Sequence, residues 1–304
     1  MNTWHVELED GRKVELDAPF GHEHTVSGPG YSARVLLSPI NCRIQVYGYE
    51  ASDIAAMTHA LSALARRNSY GKLWVKAPAQ DEARLADAGF VREGGIAGYF
   101  DGADAAIMAL FTDPERRQRP TEAEENDILA GALKGARGGK EVRELPTGYR
   151  TALFEDQHAD ALAALYKEVF PTYPYPIDNP DYLVETAHSH ILYRLVWNEA
   201  GELVAAASAE TSPEIHSAEM TDFASRPSER GKGLAQYLLR TLEADARERF
   251  GIRCYYTIAR ALSFGMLRTF HNAGYELTGT LVNNCNIAGK FETMHLMCRP
   301  YEKG

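Results

Sequence analysis

The chain is poor in cysteine, and the spacing of its cysteines shows neither a metal-binding nor a disulfide pattern. None of the four stands in a CxxC pair, which argues against a structural zinc site and against a disulfide framework. They are Cys42, Cys254, Cys285 and Cys298. We therefore expect reduced thiols and no bound metal.

Long apolar runs are also missing. No run approaches the ~18 residues that a membrane-spanning helix needs. The first ten residues, MNTWHVELED, carry acid where a signal peptide has basic residues followed by an apolar stretch. We therefore expect a cytoplasmic protein without a membrane partner.

Positive charge is in short supply: 32 lysines and arginines stand against 42 aspartates and glutamates, a formal net charge of -10. This balance disfavours nucleic acid as a partner and suits a cationic small molecule, although an acidic balance is also common among soluble proteins. The 304 residues, 45% hydrophobic and 24% charged, suffice for two globular domains, since domains cluster near ~100 to 200 residues. A homodimer is one assembly that the sequence leaves open.

The hydrophobic patterns predict the same order of elements twice. Helix, strand, helix and two strands are predicted at 50–67, 72–77, 81–88, 90–100 and 105–111. The order recurs at 232–250, 252–258, 263–272, 275–287 and 291–299. Both copies contain Ala-Gly-aromatic and then a further glycine, at 88–90 with Gly94 and at 273–275 with Gly279. This predicts a duplicated unit, with chance similarity as the alternative because the shared phrase is short.

These patterns predict an α/β (α+β) protein in three segments. Residues 1–115 form an N-terminal lobe, and 116–146 form a charged linker helix that stops at Gly138 and Gly139. Residues 147–304 form the domain to which the chemistry is assigned.

A glycine-rich motif, RGKGLA at 230–235, provides the clearest chemical signal. It follows a strand-like run at 218–224 and opens an amphipathic helix. Gly231 and Gly233 let successive backbone N–H groups converge, and the helix N-terminus favours anionic oxygens. Arg230 and Lys232 add positive charge. The motif therefore predicts a pyrophosphate site, and a plain tight strand-to-helix turn is the alternative.

Two other nucleotide motifs do not fit this stretch. A Walker loop needs four residues between its first glycine and GK[ST], and a dinucleotide fingerprint needs GxGxxG near a first strand. Neither pattern is present at 230–235.

The run at 222–239, DFASRPSERGKGLAQYLL, resembles the acetyl-CoA-binding motif of the GNAT acetyltransferases, and the order of elements resembles theirs over 149–299. The resemblance implies a mixed, splayed β-sheet flanked by helices, preceded by a degenerate GNAT-like lobe. It also implies direct transfer from acetyl-CoA, without a covalent enzyme intermediate. The residues that it assigns to acetyl-CoA are Ala224, Arg230, Gly231, Lys232, Gly233, Leu234, Ala235 and Ser263.

A closer resemblance, over nearly the whole chain, is to the β-lysine N-acetyltransferases. It rests on AEMTDFA at 218–224, YTIARA at 256–261, the stretch 275–284 and GYF at 98–100. It implies acetylation of the side-chain amine of β-lysine to N(ε)-acetyl-β-lysine, a compatible solute in osmoprotection. Lysine, a polyamine or a protein lysine remain alternative acceptors, and a catalytically silent acyl-CoA-binding module remains an alternative function.

The acceptor amine must lose a proton before it reacts, because an alkyl ammonium has a pKa near ~10.4. Related enzymes use a glutamate on the strand before the motif, so we assign Glu219 as the general base, with an exposed or ion-paired carboxylate as the alternative. Strand alternation predicts Glu219 on one face and Asp222 on the other. Asp222 is assigned to a substrate ammonium.

The protonation of the departing thiolate is less clear from the sequence. The family often has a tyrosine in the helix after the fifth strand, and Phe270 stands in that place here. Either Tyr255 or Tyr256 supplies the proton, or the thiolate leaves unaided, which a pKa near ~8.5 permits.

The remaining substrate contacts are expected from two stretches. FPTYPYPI at 170–177 is stiffened by prolines and predicts a lid that carries Tyr173 and Tyr175, with a rigid connector as the alternative. Asn284 and Glu292 lie on the last predicted strands, where the charged ends of an amino acid would be bound. A surface position is the alternative for both.

Overall fold

The computed structural model describes residues 4–135 and 144–301. Its helices are α1 (Ile54–Arg67), α2 (Glu82–Asp87), α3 (Glu122–Ala132), α4 (Ala159–Val169), α5 (Pro180–Ala187), α6 (Leu234–Phe250) and α7 (Phe264–Asn272). Its strands are β1 (Trp4–Glu7), β2 (Lys13–Leu16), β3 (His22–Gly28), β4 (Tyr31–Ser38), β5 (Arg43–Ala51), β6 (Lys72–Pro78), β7 (Val91–Phe100), β8 (Ala103–Phe111), β9 (Arg150–Leu153), β10 (Ile191–Trp197), β11 (Leu203–Ser212), β12 (Ser217–Ser225), β13 (Cys254–Arg260), β14 (Glu276–Ile287) and β15 (Lys290–Cys298).

The chain divides into two compact units, and neither is continuous in sequence. The first unit comprises Met1–Ile96, Ala103–Pro120 and Gly279–Met294. The second comprises Ala97–Gly102, Thr121–Thr278 and His295–Gly304. The three-segment division predicted from sequence stays a prediction. Gly138 and Gly139, where the linker helix was predicted to stop, lie outside the described residues.

The first unit contains a mixed sheet in the strand order β3-β4-β5-β6-β8-β7. The β5–β6 pair is parallel, while β3–β4, β4–β5 and β6–β8 are antiparallel. Helix α1 buries Met57, Leu61 and Leu64 in the core of this unit. Its apolar positions recur at helical spacing, so one stripe of the helix faces the sheet.

The second unit has a mixed sheet with helices on both faces. Its strand order is β9-β10-β11-β12-β13, in which only the β12–β13 pair is parallel. Leu238 and Leu242 of α6 and Leu267 of α7 pack in the core on one face. Leu162 of α4 and Leu183 of α5 pack in the core on the other. This arrangement confirms the predicted fold class of a mixed sheet flanked by helices.

The strand order supports the predicted repetition. The first copy runs β3-β4-β5-β6-β8-β7, and β10-β11-β12-β13-β15-β14 has the same order. The shared Ala-Gly-aromatic phrase ends a helix in both copies, because Phe90 N–H donates to Leu85 C=O and Tyr275 N–H donates to Phe270 C=O. The two stretches therefore end their helices with the same backbone hydrogen bond, from the aromatic residue to the residue five positions earlier.

The two copies differ where the phosphate loop was predicted. In the second copy residues 226–233 separate β12 from α6, whereas only Ser52 and Asp53 separate β5 from α1. The Asp53 carboxylate accepts a hydrogen bond from Ala56 N–H at 2.8 Å. A carboxylate therefore already occupies the start of α1, where it would repel a phosphate.

Within the described residues, no helix is long and apolar enough to cross a membrane.

Candidate active site

A β-bulge in β12 determines how its polar side chains are arranged. Thr221 pairs with Ser208 and Ala224 pairs with Ala206, so Asp222 and Phe223 together oppose a single residue of β11. Asp222 has a φ of 53°, in the left-handed region that non-glycine residues seldom adopt. A bulge of this kind interrupts the two-residue alternation of the strand and re-aims its side chains.

The bulge reverses part of the alternation that the sequence predicted. Phe223 packs edge-on against Phe270 of α7, with ring centroids 5.4 Å apart, and so lies with Met220 on the side of α6 and α7. Asp222 instead contacts residues on the side of α4. The prediction that Asp222 and Glu219 lie on opposite faces is wrong, because the extra residue shifts the period after Thr221.

The parallel ladder between β12 and β13 is short. Its pairs are Ser217 with Cys254, Ala218 with Tyr255, and Glu219 with Tyr256. Between the described residues of these two strands the register does not continue to 220–225. The strands therefore separate just beyond Glu219, as the resemblance implied, and the second half of β12 is left with β11 as its ladder partner.

Asp222 is a buried carboxylate with neutral hydrogen-bond donors. The Tyr173 hydroxyl donates to Oδ1, and the Ser208 hydroxyl donates to Oδ2 at 2.5 Å. Burial raises the pKa of Asp222 above its ordinary value, and the hydrogen bonds from Ser208, Tyr173 and Thr221 oppose that rise. The contact joins the 170–177 stretch to the bulge.

Tyr166 of α4 lies beside this carboxylate. Its side chain is fully buried, and its hydroxyl has no hydrogen-bond partner among the described residues. Burial is the largest cause that raises the pKa of Tyr166, and the charge of Asp222 adds to it. A buried hydroxyl without a partner is costly, so this position fits a polar ligand group.

Glu219 has a second carboxylate as its cross-strand partner. Glu210 of β11 pairs directly with Glu219 of β12, and both residues are half-buried. Ser208 and Glu210 are two residues apart on β11, so they share the face to which Asp222 turns. Sequence reasoning missed Glu210. The register that pairs Glu210 with Glu219 cannot be read from either strand alone.

The 226–233 loop has the backbone form that the motif predicted. Gly231 and Gly233 both have a φ of 82°, and α6 begins at Leu234, two residues later than predicted. A Cβ added at Gly231 would meet no atom within 4 Å. The first turn of α6 carries no acidic residue. Open space beside the N–H groups of a long helix fits an anionic oxygen.

Lys232 is paired within the protein. Its Nζ donates to Glu229 Oε2 and to the Tyr149 hydroxyl, each at 2.8 Å. The Tyr149 hydroxyl donates in turn to Glu229 Oε2 at 2.5 Å. Hydrogen bonds from Lys232 and then from Tyr149 lower the pKa of Glu229. This triad ties the loop to the start of β9, while Arg230 remains exposed.

The other residues assigned to acetyl-CoA differ in exposure. Ala224 and Leu234 are buried in the cores of the second unit, so only their backbone groups are available to a ligand. Ala235 is half-buried. Ser263 precedes α7 as its N-cap, but its side chain makes no capping hydrogen bond.

The tyrosines considered as proton donors fall into two groups. Tyr255 is committed to the core, because its hydroxyl donates to the backbone carbonyls of Glu243 and Ile252, both at 2.9 Å. Tyr256 pairs with Glu219 across the short ladder, and its pKa is raised by burial and then by neighbouring tyrosine and glutamate groups. Phe270 is buried. Of the two tyrosines, Tyr256 is the one whose strand position pairs with Glu219.

The predicted substrate residues belong to both units. Tyr175, like Tyr173, packs against the core of the second unit on the α4 side. Asn284 and Glu292 belong to the first unit. There Asn284 is buried, and its backbone carbonyl accepts a hydrogen bond from Arg43 at 2.5 Å. In the second unit the structure joins Tyr173 to Asp222 by a hydrogen bond and places Glu219 on the same face of β12 as Asp222.

No group of three or more histidine, cysteine, aspartate or glutamate side chains in the part of the chain that the structure describes is placed to hold a metal ion.

Comparisons with known proteins agree on one family. The acetyltransferase (GNAT) family matches residues 156–275. A β-lysine N(6)-acetyltransferase of Methanosarcina mazei is 36% identical over 259 residues, which cover 79% of this chain and 95% of the relative. The N-acetyltransferase YodP of Bacillus subtilis is 32% identical, covering 90% of this chain and 98% of the relative.

A second β-lysine N(6)-acetyltransferase, from Methanococcus maripaludis, is 30% identical over 86% of this chain and 93% of its own length. The similarity thus extends well beyond the residues that match the family and includes most of the first unit. The chain belongs to the GNAT family of acetyltransferases and is an acyltransferase related along most of its length to β-lysine N(6)-acetyltransferases.

Proposed function

We propose that this protein transfers the acetyl group of acetyl-CoA to the side-chain amine of β-lysine. The observation that carries the proposal is the position of Glu219, which ends the parallel ladder at the point where β12 and β13 separate. A carboxylate at that point is next to the gap that a thioester would enter. The names of the relatives from Methanosarcina mazei and Methanococcus maripaludis support β-lysine as the acceptor.

The reaction assigns one task to each group. Glu219 accepts a proton from the distal ammonium of the acceptor, directly or through water, because the neutral amine is the nucleophile. The amine nitrogen then attacks the thioester carbonyl carbon, so a C–N bond forms and the C–S bond breaks. The nitrogen gives up its second proton to water as the amide forms, and the leaving thiolate takes up one proton, for which Tyr256, reprotonated by water, is the proposed donor. The products are an amide and free CoA thiol.

Acetyl-CoA is assigned to the loop and to the N-terminus of α6. The N–H groups at 230–235 bind the pyrophosphate, Arg230 contributes its charge, and the backbone of Ala224 lines the pantetheine arm. Ser263 contributes its hydroxyl to acetyl-CoA, since this hydroxyl makes no capping hydrogen bond to α7. Lys232 acts chiefly by holding the loop through Glu229, because its charge is already paired.

The acceptor is defined by its charges. β-Lysine has a carboxylate, a nearby β-ammonium and a distal ammonium, and acetylation of the distal amine leaves a zwitterion without net charge. Such a product suits accumulation as a compatible solute, and we propose osmoprotection as the role. Asp222 and Tyr173 border the site, and we retain Tyr175 as a proposed substrate contact. Asn284 and Glu292 belong to the first unit, and their role in binding the substrate stays a prediction from the sequence.

The proposal is tested by the release of CoA thiol with β-lysine, α-lysine, cadaverine and a lysine peptide under one condition. We expect kcat/KM to be highest for β-lysine and lower by at least about tenfold for the others, because each missing or displaced charged end leaves a buried partner unmatched. A preference for cadaverine would indicate a polyamine enzyme, and a preference for the peptide would indicate a protein acetyltransferase. Binding of acetyl-CoA without thiol release from any amine would indicate a silent module.

A further inference from the structure

The Glu210–Glu219 pair is unusual for a sheet. Two carboxylates that stand directly opposite on neighbouring strands repel each other, and the repulsion grows where burial reduces the screening by water. Both side chains here are half-buried on the face that carries Asp222. This face therefore carries three carboxylates, Glu210, Glu219 and Asp222, whereas general-base catalysis needs only one.

Phenol groups border these carboxylates on several sides. Burial is the largest cause that raises the pKa of Tyr173, Tyr193 and Tyr256, and the charge of Glu210 adds to the rise for all three. Glu210 is therefore close to side chains from β10, from β13 and from the 170–177 stretch. Aromatic rings beside carboxylates form a favourable environment for an ammonium group.

An independent observation indicates a ligand at this place. The hydroxyl of Tyr166 is buried beside Asp222 and has no hydrogen-bond partner in the described residues. The other hydroxyls around Asp222, those of Tyr173, Ser208 and Thr221, are hydrogen-bonded to its carboxylate. A ligand group that donates an N–H to the Tyr166 hydroxyl would give this hydroxyl its missing hydrogen-bond partner.

The acceptor proposed above has two ammonium groups, and only one of them reacts. From the cross-strand pairing and the surrounding phenols we infer that Glu210 binds the second, non-reacting ammonium and thereby selects diamines over monoamines. Glu219 then acts on the reacting amine, and the two carboxylates have separate tasks. Glu210 is a specificity-determining residue for the reaction. The inference rests on the proposed function.

The test compares two acceptors that differ only in the second amine. β-Lysine is 3,6-diaminohexanoate, and 6-aminohexanoate has the same carbon chain, carboxylate and distal amine but no β-amine. We measure kcat and KM for both acceptors with the wild type, with Glu210→Gln and with Glu214→Gln. Glu214 is an exposed residue of the same unit, so the control removes the same charge away from this face.

In the wild type, β-lysine should be the better substrate. Glu210→Gln should lower kcat/KM for β-lysine by roughly 10- to 100-fold, mainly through KM, because a charge-assisted bond to the β-ammonium is lost. It should change kcat/KM for 6-aminohexanoate by less than about threefold, since that acceptor has no ammonium to lose. The preference for the diamine should collapse in Glu210→Gln and persist in Glu214→Gln.

Equal losses on both acceptors would overturn the inference and assign Glu210 to the chemical step or to the fold. An unchanged preference in a folded Glu210→Gln protein would overturn it as well. If the wild type acetylates neither acceptor, the proposed function itself fails, which is a different result from either of these. Urea unfolding of the variants establishes whether each remains folded.

Discussion

Gly231 offers the sharpest test of the coenzyme loop, because the chain contains a matched control. Gly231 has a φ of 82°, and Gly201, in the turn between β10 and β11, has a φ of 79°. A Cβ at either position would meet no atom within 4 Å. The substitutions Gly231→Ala and Gly201→Ala therefore place a methyl group in open space on the same kind of backbone. They differ only in whether acetyl-CoA is expected to occupy that space.

The expected effect on stability is the same at both sites. An L-residue in the left-handed region costs about 1 to 2 kcal/mol relative to glycine, and neither methyl group meets a neighbour that would add to this cost. The effect on coenzyme binding should differ. We expect Gly231→Ala to weaken acetyl-CoA binding by at least about tenfold, or about 1.4 kcal/mol, and Gly201→Ala to leave it within about twofold.

The assay is calorimetric titration of each variant with CoA, beside urea unfolding of the same preparations. Equal losses of unfolding free energy together with a selective loss of CoA affinity in Gly231→Ala would support the loop assignment. Wild-type CoA affinity in a folded Gly231→Ala protein would contradict the assignment of the loop to CoA, because the space beside the loop would then not hold the phosphates.

Two further predictions concern Glu219 and a buried ion pair of the first unit. Glu219→Gln should reduce turnover most below pH 8 and recover part of it at higher pH, because the free amine fraction rises toward its pKa near ~10.4; an equal loss at every pH in a rate profile would exclude a role as base. Lys72 donates to Glu93 at 2.8 Å and to the Val282 carbonyl at 2.8 Å, and burial lowers the pKa of Lys72 to about 8. Lys72→Met should cost roughly 3 to 5 kcal/mol in urea unfolding by leaving Glu93 unpaired, and adding Glu93→Gln should restore part of that loss, whereas additive losses would argue against the coupling.

The sequence allowed the loop and the repeated order of elements to be predicted, because both depend on local patterns. Glycines before an amphipathic stripe define a helix start, and the Ala-Gly-aromatic phrases mark helix ends wherever they occur. The structure confirms the mixed sheet flanked by helices and shows the same strand order in both copies.

The faces of β12 could not be predicted in the same way. Strict alternation put Asp222 opposite Glu219, and one extra residue at the bulge put them on the same face. Nothing in a two-residue period indicates where a strand will accept an extra residue. The pairing of Glu210 with Glu219 was missed for a related reason, since register is set by two strands together.

The placement of 279–294 depends on contacts between residues far apart in the chain. The sequence predicts this stretch within the segment 147–304, a division that stays a prediction, and its contacts group it with Met1–Ile96 and Ala103–Pro120. There Val282 N–H donates to Glu93 at 2.9 Å, and the Val282 carbonyl accepts from Lys72. Lys72 and Glu93 lie in separate strands, and nothing in the sequence indicates that both will hydrogen-bond to the backbone of Val282.

Transfer to the distal amine of β-lysine can be read from the structure of the product that the full chain makes from acetyl-CoA and β-lysine. Proton NMR and mass spectrometry of the reaction mixture identify which nitrogen carries the acetyl group. We expect one acetyl group on the distal nitrogen, giving N(ε)-acetyl-β-lysine, with one equivalent of CoA thiol released. Acetylation of the β-nitrogen, or no acetylated β-lysine from a protein that acetylates another amine, would contradict this expectation.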